Sequence, residues 1–309
     1  MNQHLTISYC TSRKDPKIEW FLDSLYRECG GNYDGIKIVV VSLHELPLHL
    51  SSSVPEIRSI INLTAVPPKP NVWQGKHRLT STDWFAAANS RNTALCLAPD
   101  GYIAYVDDLS VLLPGWLDRV KAAMDGGYIA CGTYQKVKDL VVENGEVKSF
   151  TDYPQGHDTG RQPFALSPLS PCVGGWLFGC SCAMPVEALL TIGGWPEFCD
   201  GLGFEDCVCG VALKNANDYP MFYDSKMMTY ESEELHHVEP AMKRTDKGIS
   251  PDDKSHRALN IVQSGTKFFD NYVQGGMRTL REKILKGEPF PIVQIPDRCW
   301  YDGQLLKDM

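Results

Sequence analysis

Two rhythms of apolar residues alternate along this chain. "LTISYCTS" (5–12) and "IKIVVVS" (36–42) are short apolar runs of strand length, and between them "DPKIEWFLDSLYRECGG" sets Ile18, Phe21, Leu22 and Leu25 on one helical face. Asp15 is placed to cap that helix, Pro16 to open its first turn, and Gly30 with Gly31 to stop it. The 36–42 run has no polar alternation, as expected of a strand covered on both faces. Strand, helix and strand at this spacing predict a parallel α/β unit.

Residues 43–81 are irregular, with "VPPKP" in their middle, and "STDWFAAANSRNTALCLAPDG" then predicts a capped helix with Trp84, Ala87, Ala88, Arg91, Ala94 and Leu95 at helical spacing. "GYIAYVDDLSVLLPGW" (101–116) follows as a strand ending in two adjacent carboxylates, and Pro114 opens a helix through Trp116, Leu117, Val120 and Met124. A strand is predicted at 127–134 and a hairpin around Asn144-Gly145 in "VVENGEVKSF". The stretch from 151 to 171 is a long loop of the kind that serves as a lid or binding segment. "CVGGWLFGCSCAMP" returns to strand character, "VEALLTI" is a short helix closed by Gly193-Gly194, and "GFEDCVCGVALKNAND" starts another near its acidic pair. Beyond about residue 240 the chain turns polar and then helical.

Composition narrows the function. A 309-residue chain with 43% hydrophobic residues can bury a sizeable core. Its net charge of −8, with no Lys/Arg-rich run, argues against a broad grip on nucleic acid or an anionic membrane and suits small-molecule or neutral partners. No apolar run reaches the ~18 residues of a membrane helix, and "MNQHLTISYC" lacks the pattern of a secretory signal, so the expected location is the cytoplasm. The 11 cysteines are scattered through strand-like and helix-like segments, as reduced thiols packed like small hydrophobes would be. The cluster Cys172, Cys180, Cys182, Cys199, Cys207 and Cys209 has C-x-C spacing in apolar surroundings, which favours packing over a thiolate zinc site.

Asp107 and Asp108 stand where open α/β sheets bind ligands, at the carboxyl end of a strand. Taken alone the pair is either a turn or a site for Mg²⁺ or Mn²⁺, ions that prefer hard oxygen ligands. Glu205 and Asp206 can be first-turn carboxylates favoured by a helix dipole. Arg91 interrupts an apolar stripe: spacing favours an arginine snorkelling at its edge over a cation aimed at a ligand. His236 and His237 are either structural or ligating. Lys243 and Arg244 are solvated charges unless a nucleotide diphosphate lies beside them, whose leaving group they would neutralise.

The order of these features, "NSRNTAL", "VDD", an apolar Gly-rich strand, "GGWPE", "GFED", then His in a polar loop, resembles the family-2-type glycosyltransferases of the GT-A fold over roughly residues 5–240. The resemblance implies a Rossmann-like, mixed and mostly parallel α/β sheet flanked by helices. Its nucleotide-sugar half would be about 1–134, its acceptor half about 135–240, and 241–309 a C-terminal helical extension acting as lid or oligomer contact. It implies a metal-dependent, inverting transfer of a sugar from a nucleotide diphosphate, by default a UDP-sugar, to a hydroxyl on a glycan, lipid-linked sugar, protein or modified nucleic acid. By the same resemblance Asp107 contacts the ribose or a metal-bound water. Asp108 lies at a Mn²⁺ or Mg²⁺ ion whose coordination His236 or His237 completes. Asp206 is the general base, Glu205 orients the acceptor, and Thr11, Ser12 and Arg13, with Arg91 and Lys243, hold the donor. Trp176, Trp195 and the loop 151–172 shape the acceptor side, where aromatic faces suit sugar rings.

The chain departs from that pattern twice. Leu109 stands where the family often has the metal-binding Asp, so either Asp108 takes over ligation or metal binding is weakened. "VVVSLHE" lacks an Asp that often contacts the base, and Ser42 or Glu45 would replace it. Two competing readings are a sugar-nucleotide-binding protein without catalysis and a nucleotidyltransferase. The latter needs a Gly-rich basic loop after the first strand, and "TSRKDPK" has no Gly.

Overall fold

The computed structural model describes residues 4–30, 33–44, 62–69, 86–152, 168–199, 205–216, 218–238 and 276–290. Strands β1 (His4–Thr11), β2 (Ile36–Ser42), β3 (Asn62–Val66) and β4 (Gly101–Asp107) lie in the order β3-β2-β1-β4, all parallel. The sheet continues through β9 (Ser181–Pro185), β6 (Ile129–Glu143), β10 (Met221–Ser232) and β5 (Ser110–Leu112). Here β9 runs antiparallel to both β4 and β6, while β10 is parallel to β6. Two more strands sit off this path: β7 (Glu146–Asp152) pairs with β6 and β8 (Leu169–Pro171) with β10. The described sheet is therefore mixed and continuous, and the strands of the predicted acceptor half share it with those of the nucleotide half.

Alternate residues of the central strands feed two apolar layers, one on each face, as a period of two requires. Ile103 and Tyr105 of β4 point into one layer, with α2 (Ala87–Leu97), α4 (Val186–Thr191), α5 (Glu205–Ala216) and α7 (Gly276–Leu285). Tyr102, Ala104 and Val106 point into the other, with α1 (Ile18–Cys29) and α3 (Trp116–Gly126). The apolar face predicted for α1 is the buried one, Ile18, Phe21, Leu22 and Leu25 among it.

Its predicted cap is not used. The helix starts at Ile18 behind Lys17 in a left-handed conformation, and no side chain caps it. Asp15 instead pairs with Lys17, and the Pro16 carbonyl accepts the Tyr9 hydroxyl and the Leu109 N–H. The turn is shaped by what it must hold at the ends of β1 and β4. Capping reaches α3 from a distance: the Glu28 carboxylate accepts the N–H groups of Gly115 and Leu117, both at 3.0 Å.

The hairpin falls where expected, with positive φ at both Asn144 (51°) and Gly145 (71°), as a tight type I′ turn needs. Strand β6 runs on to reach it, to Glu143 rather than ending near 134. In 172–185 only Ser181–Pro185 is strand; Gly174–Trp176 forms a 3-10 turn. The described part of the C-terminal segment is a core element: Met277, Leu280 and Ile284 of α7 join the apolar layer, and Arg281 donates to the Ala98 carbonyl and to Asp100. Asp100 precedes β4, so this helix lies at the opposite end of that strand from Asp107.

Candidate functional site

In the parallel register Cys10 faces Asp107, so the carboxyl ends of β1 and β4 arrive side by side. The chain then turns through Leu109, a buried residue at φ 60°, which L side chains other than Gly, Asn and Asp rarely adopt. Two backbone bonds keep it there: Leu109 N–H donates to the Pro16 carbonyl, and Ser232 N–H to the Leu109 carbonyl. Adjacent at the strand end, Asp107 and Asp108 point in different directions, and each meets its own arginine.

Asp107 meets Arg91. Helix α2 is buried on nearly all sides, with Asn89, Ser90, Arg91, Asn92 and Thr93 each at 2% exposure or less, so Arg91 does not lie at a stripe's edge as spacing favoured. Its guanidinium donates to Asp107 (Nη2, 3.0 Å), Glu205 (Nη1, 3.1 Å) and Asp206 (Nη1, 2.9 Å), and its Cζ lies 4.7 Å from the Trp195 ring centroid. Burial works against the Arg91 charge, but the three carboxylates outweigh it and hold the guanidinium ionised. Three carboxylates on one guanidinium leave excess negative charge. For Asp206, burial first and then the Glu205 charge raise the carboxyl to about 7, against the lowering pull of Arg91.

Asn92, the next residue, clamps the "GGWPE" turn. Its Nδ2 donates to the Trp195 carbonyl (2.9 Å) and to Glu197 (2.7 Å), and its Oδ1 accepts the Trp195 N–H (2.7 Å). Glu197 is also paired with Lys69 at 2.6 Å, both side chains buried. The "RN" pair thus divides two tasks: the arginine gathers carboxylates and the asparagine fixes the turn that carries Trp195 beneath it.

Gly179 closes the other side, its backbone bonded to Asp206. A Cβ there would overlap the Arg91 Cζ, and Arg91 cannot yield because three ion pairs and Trp195 hold it. Gly179→Ala is therefore expected to destabilise the fold by about 2–3 kcal/mol, read from the shift in a urea unfolding midpoint.

Asp108 meets Arg13. Its Oδ2 accepts the Thr11 hydroxyl at 2.6 Å and lies 3.1 Å from Arg13 Nε. Arg13 Nη2 is 3.1 Å from His236 Nδ1, and His236 Nε2 is 3.5 Å from Glu231 Oε2. A guanidinium offers only protons, so Nδ1 is the acceptor and the ring proton sits on Nε2, towards Glu231. Burial raises the carboxyls of both Asp108 and Glu231, and the partners just named oppose it.

Among the residues singled out from sequence, Arg91, Asp107, Glu205 and Asp206 converge, and Thr11, Arg13, Asp108 and His236 form a second, adjoining network. Thr11 and Arg13 are buried and hold Asp108, so neither is presented to a base; Ser12 is half-buried. Trp195 is fully buried and makes an edge contact with Tyr105, so it is a core residue under Arg91 and not an acceptor platform. Trp176 is half-buried and tilted against Tyr223. Ser42 turns its hydroxyl back on its own loop, donating to the His44 carbonyl. Lys243, Arg244, Glu45, residues 153–167 and the His237 side chain lie outside the described residues. Sequence reasoning missed Gly179 and Glu231: one acts by lacking a side chain, and the other sits in "TYESEEL", where nothing distinguishes it from neighbouring acids.

The fold is that of the GT-A glycosyltransferases. S. aureus TarS 1-349 in complex with UDP-GlcNAc superposes with a TM-score of 0.55 at 14% identity, over 91% of this chain and 70% of that one. GalNAc-T7 with UDP, GalNAc and Mn2+ gives a TM-score of 0.55 at 11% identity, over 94% of this chain and 59% of that one. The chain spans 43% of the longer TarS chain. No family model matches the sequence, and no curated protein matches it. No helix among the described residues is long and apolar enough to cross a membrane.

The residues assigned to a divalent ion do not fit one as they are placed. Leu109 offers no ligand, Asp108 Oδ2 is taken by Thr11 and Arg13, and both nitrogens of His236 face other partners. Asp107 faces Arg91 with both oxygens, at 3.0 and 3.4 Å. Among the described residues no group of three or more His, Cys, Asp or Glu is arranged to hold a metal.

Proposed function

We propose that this chain transfers a sugar from a nucleotide diphosphate donor to a hydroxyl acceptor with inversion, Asp206 acting as general base. The observation that carries this reading is a carboxyl raised to about 7 at the mouth of a GT-A sheet, held on Arg91 beside Asp107 and Glu205. A base of that strength takes a proton near neutral pH as well as a carboxylate can. In the step proposed, Asp206 accepts the acceptor hydroxyl proton as that oxygen bonds to the anomeric carbon. The bond from that carbon to the donor phosphate breaks, and its electron pair leaves with the nucleoside diphosphate.

Glu205 sits beside Asp206 on the same guanidinium and orients the acceptor; Asp107, with a side chain 31% exposed, is open to donor ribose hydroxyls. Trp176 lines the acceptor side. UDP is the default carrier, and UDP-GlcNAc, bound in the complex of TarS 1-349, belongs in the first donor panel. Lys243 and Arg244 are assigned from sequence to the leaving diphosphate. Free thiols and a nucleotide-sugar donor suit the cytoplasm.

The test is release of nucleoside diphosphate from a donor panel with sugar acceptors. Turnover that is absent across the panel while a nucleotide still binds returns the chain to a binding protein of the same fold. The pH profile is specific: kcat/KM rises about tenfold per unit below about 7 and levels above it, because only deprotonated Asp206 accepts the proton. A profile flat between pH 5.5 and 8 removes Asp206 from that role.

A further inference from the structure

We propose that the resident cation of this site is the Arg13 guanidinium, and that the chain binds its donor without a divalent metal. This rests on the nucleotide-sugar reading above and changes what that reading requires. The residues around the carboxyl ends of β1 and β4 form two sets, each with its own counter-charge. Asp107, Glu205 and Asp206 share Arg91; Asp108 and Glu231 flank Arg13 and His236.

Arg13 is tied to both walls of its set. Its Nε lies on Asp108, and Nη1 and Nη2 reach the Leu235 carbonyl (3.3 Å) and His236 Nδ1 (3.1 Å) at the start of α6 (Glu233–Val238). It is 2% exposed, and it bridges the end of β1, the turn after β4 and the junction of β10 with α6. A dication on the one remaining oxygen of Asp108 would lie against this guanidinium in a site with little water to screen the repulsion. It would gain no second ligand from Leu109. His236 can coordinate only by breaking with Arg13 or by moving its proton from Glu231, so the imidazole is held in the form that stabilises arginine.

The position of Leu109 reinforces the point. Its left-handed backbone is one that Asp adopts more readily than Leu, yet Leu occupies it with its side chain buried at 1% exposure. The backbone suits an acid, and a buried apolar side chain holds the position instead.

Electron paramagnetic resonance of Mn²⁺ titrated into the chelator-treated full chain tests this without needing activity. The expected result is that the free-ion signal is retained, with a Kd weaker than about 1 mM. In parallel, thermal shifts with UDP, GDP and UDP-GlcNAc are expected to be equal in EDTA and in Mn²⁺, since a ligand that binds the folded state raises its melting temperature by the same linkage in both. Depletion of free Mn²⁺ at micromolar protein, or a nucleotide shift that appears only with Mn²⁺, overturns the proposal. If no nucleotide binds under either condition, the transferase reading fails while the Mn²⁺ titration still decides the cation. Arg13→Gln, which frees Asp108, is expected to gain at least about tenfold in Mn²⁺ affinity; a folded variant with unchanged affinity shows that Arg13 was not the occupant. Should that variant not fold, the two measurements on the natural chain stand.

Discussion

Arg91→Met is expected to cost about 3–5 kcal/mol, a large share of the stability of an ordinary domain. Methionine replaces most of the side-chain volume, but Asp107, Glu205 and Asp206 are then left facing one another without a counter-charge. The cost comes from charges stranded in a poorly solvated place and not from a lost contact. Its pH dependence separates the two causes. Acids without a partner bind protons more tightly when folded than when unfolded, so the deficit against the natural chain shrinks as pH falls from 8 to 5. Urea unfolding of both proteins at the two pH values checks this; a deficit independent of pH points to packing against Trp195 instead. Arg91→Lys is not a rescue, because one ammonium cannot reach three carboxylates from a single planar fork.

Asp206→Asn is expected to move activity and stability in opposite directions. Glycosyl transfer falls by at least about 10³-fold, since the amide cannot take the acceptor proton. Stability at pH 8 rises by about 1–3 kcal/mol, because the natural carboxylate is ionised there against burial and against Glu205. The sign follows from the raised pKa. Between about 4 and 7 the unfolded chain has released this proton and the folded chain keeps it, so the natural protein loses stability as pH climbs through that window. The variant lacks that slope, so the two proteins converge near pH 4. A variant less stable than the natural chain at pH 8 means that the bond to Arg91 outweighs the burial cost. Transfer that persists in the variant takes Asp206 out of the reaction.

Both predictions concern residues that stand out in the sequence, but for reasons the sequence does not contain. Arg91 interrupts a helix whose periodicity suggests one buried face and one wet face. Periodicity carries little information there because α2 is enclosed on nearly every side. Trp195 and Trp176 look alike as aromatic residues beside glycines. One is core and the other half-buried, because Asn92 pulls the "GGWPE" turn inward. Asp15 looks like a helix cap, but the adjoining Pro16 carbonyl is needed by Tyr9 and Leu109 and sets the turn differently.

What the chain alone determined is local. Apolar runs and their spacing specify β1, α1, β2 and β4 in order, Asn144-Gly145 specifies the hairpin, and the acids are placed at a strand end and at a helix start. These follow from periods of 2 and 3.6 and from turn chemistry, which act over a few residues. Which arginine meets which carboxylate was decided only when β1, α2, β4, α5 and β10 came together. Ion pairing and desolvation depend on distances across the fold, and sequence separation says nothing about them. Arg13 lies 95 positions from Asp108, and that pairing decides whether the acids at the end of β4 are left for a metal.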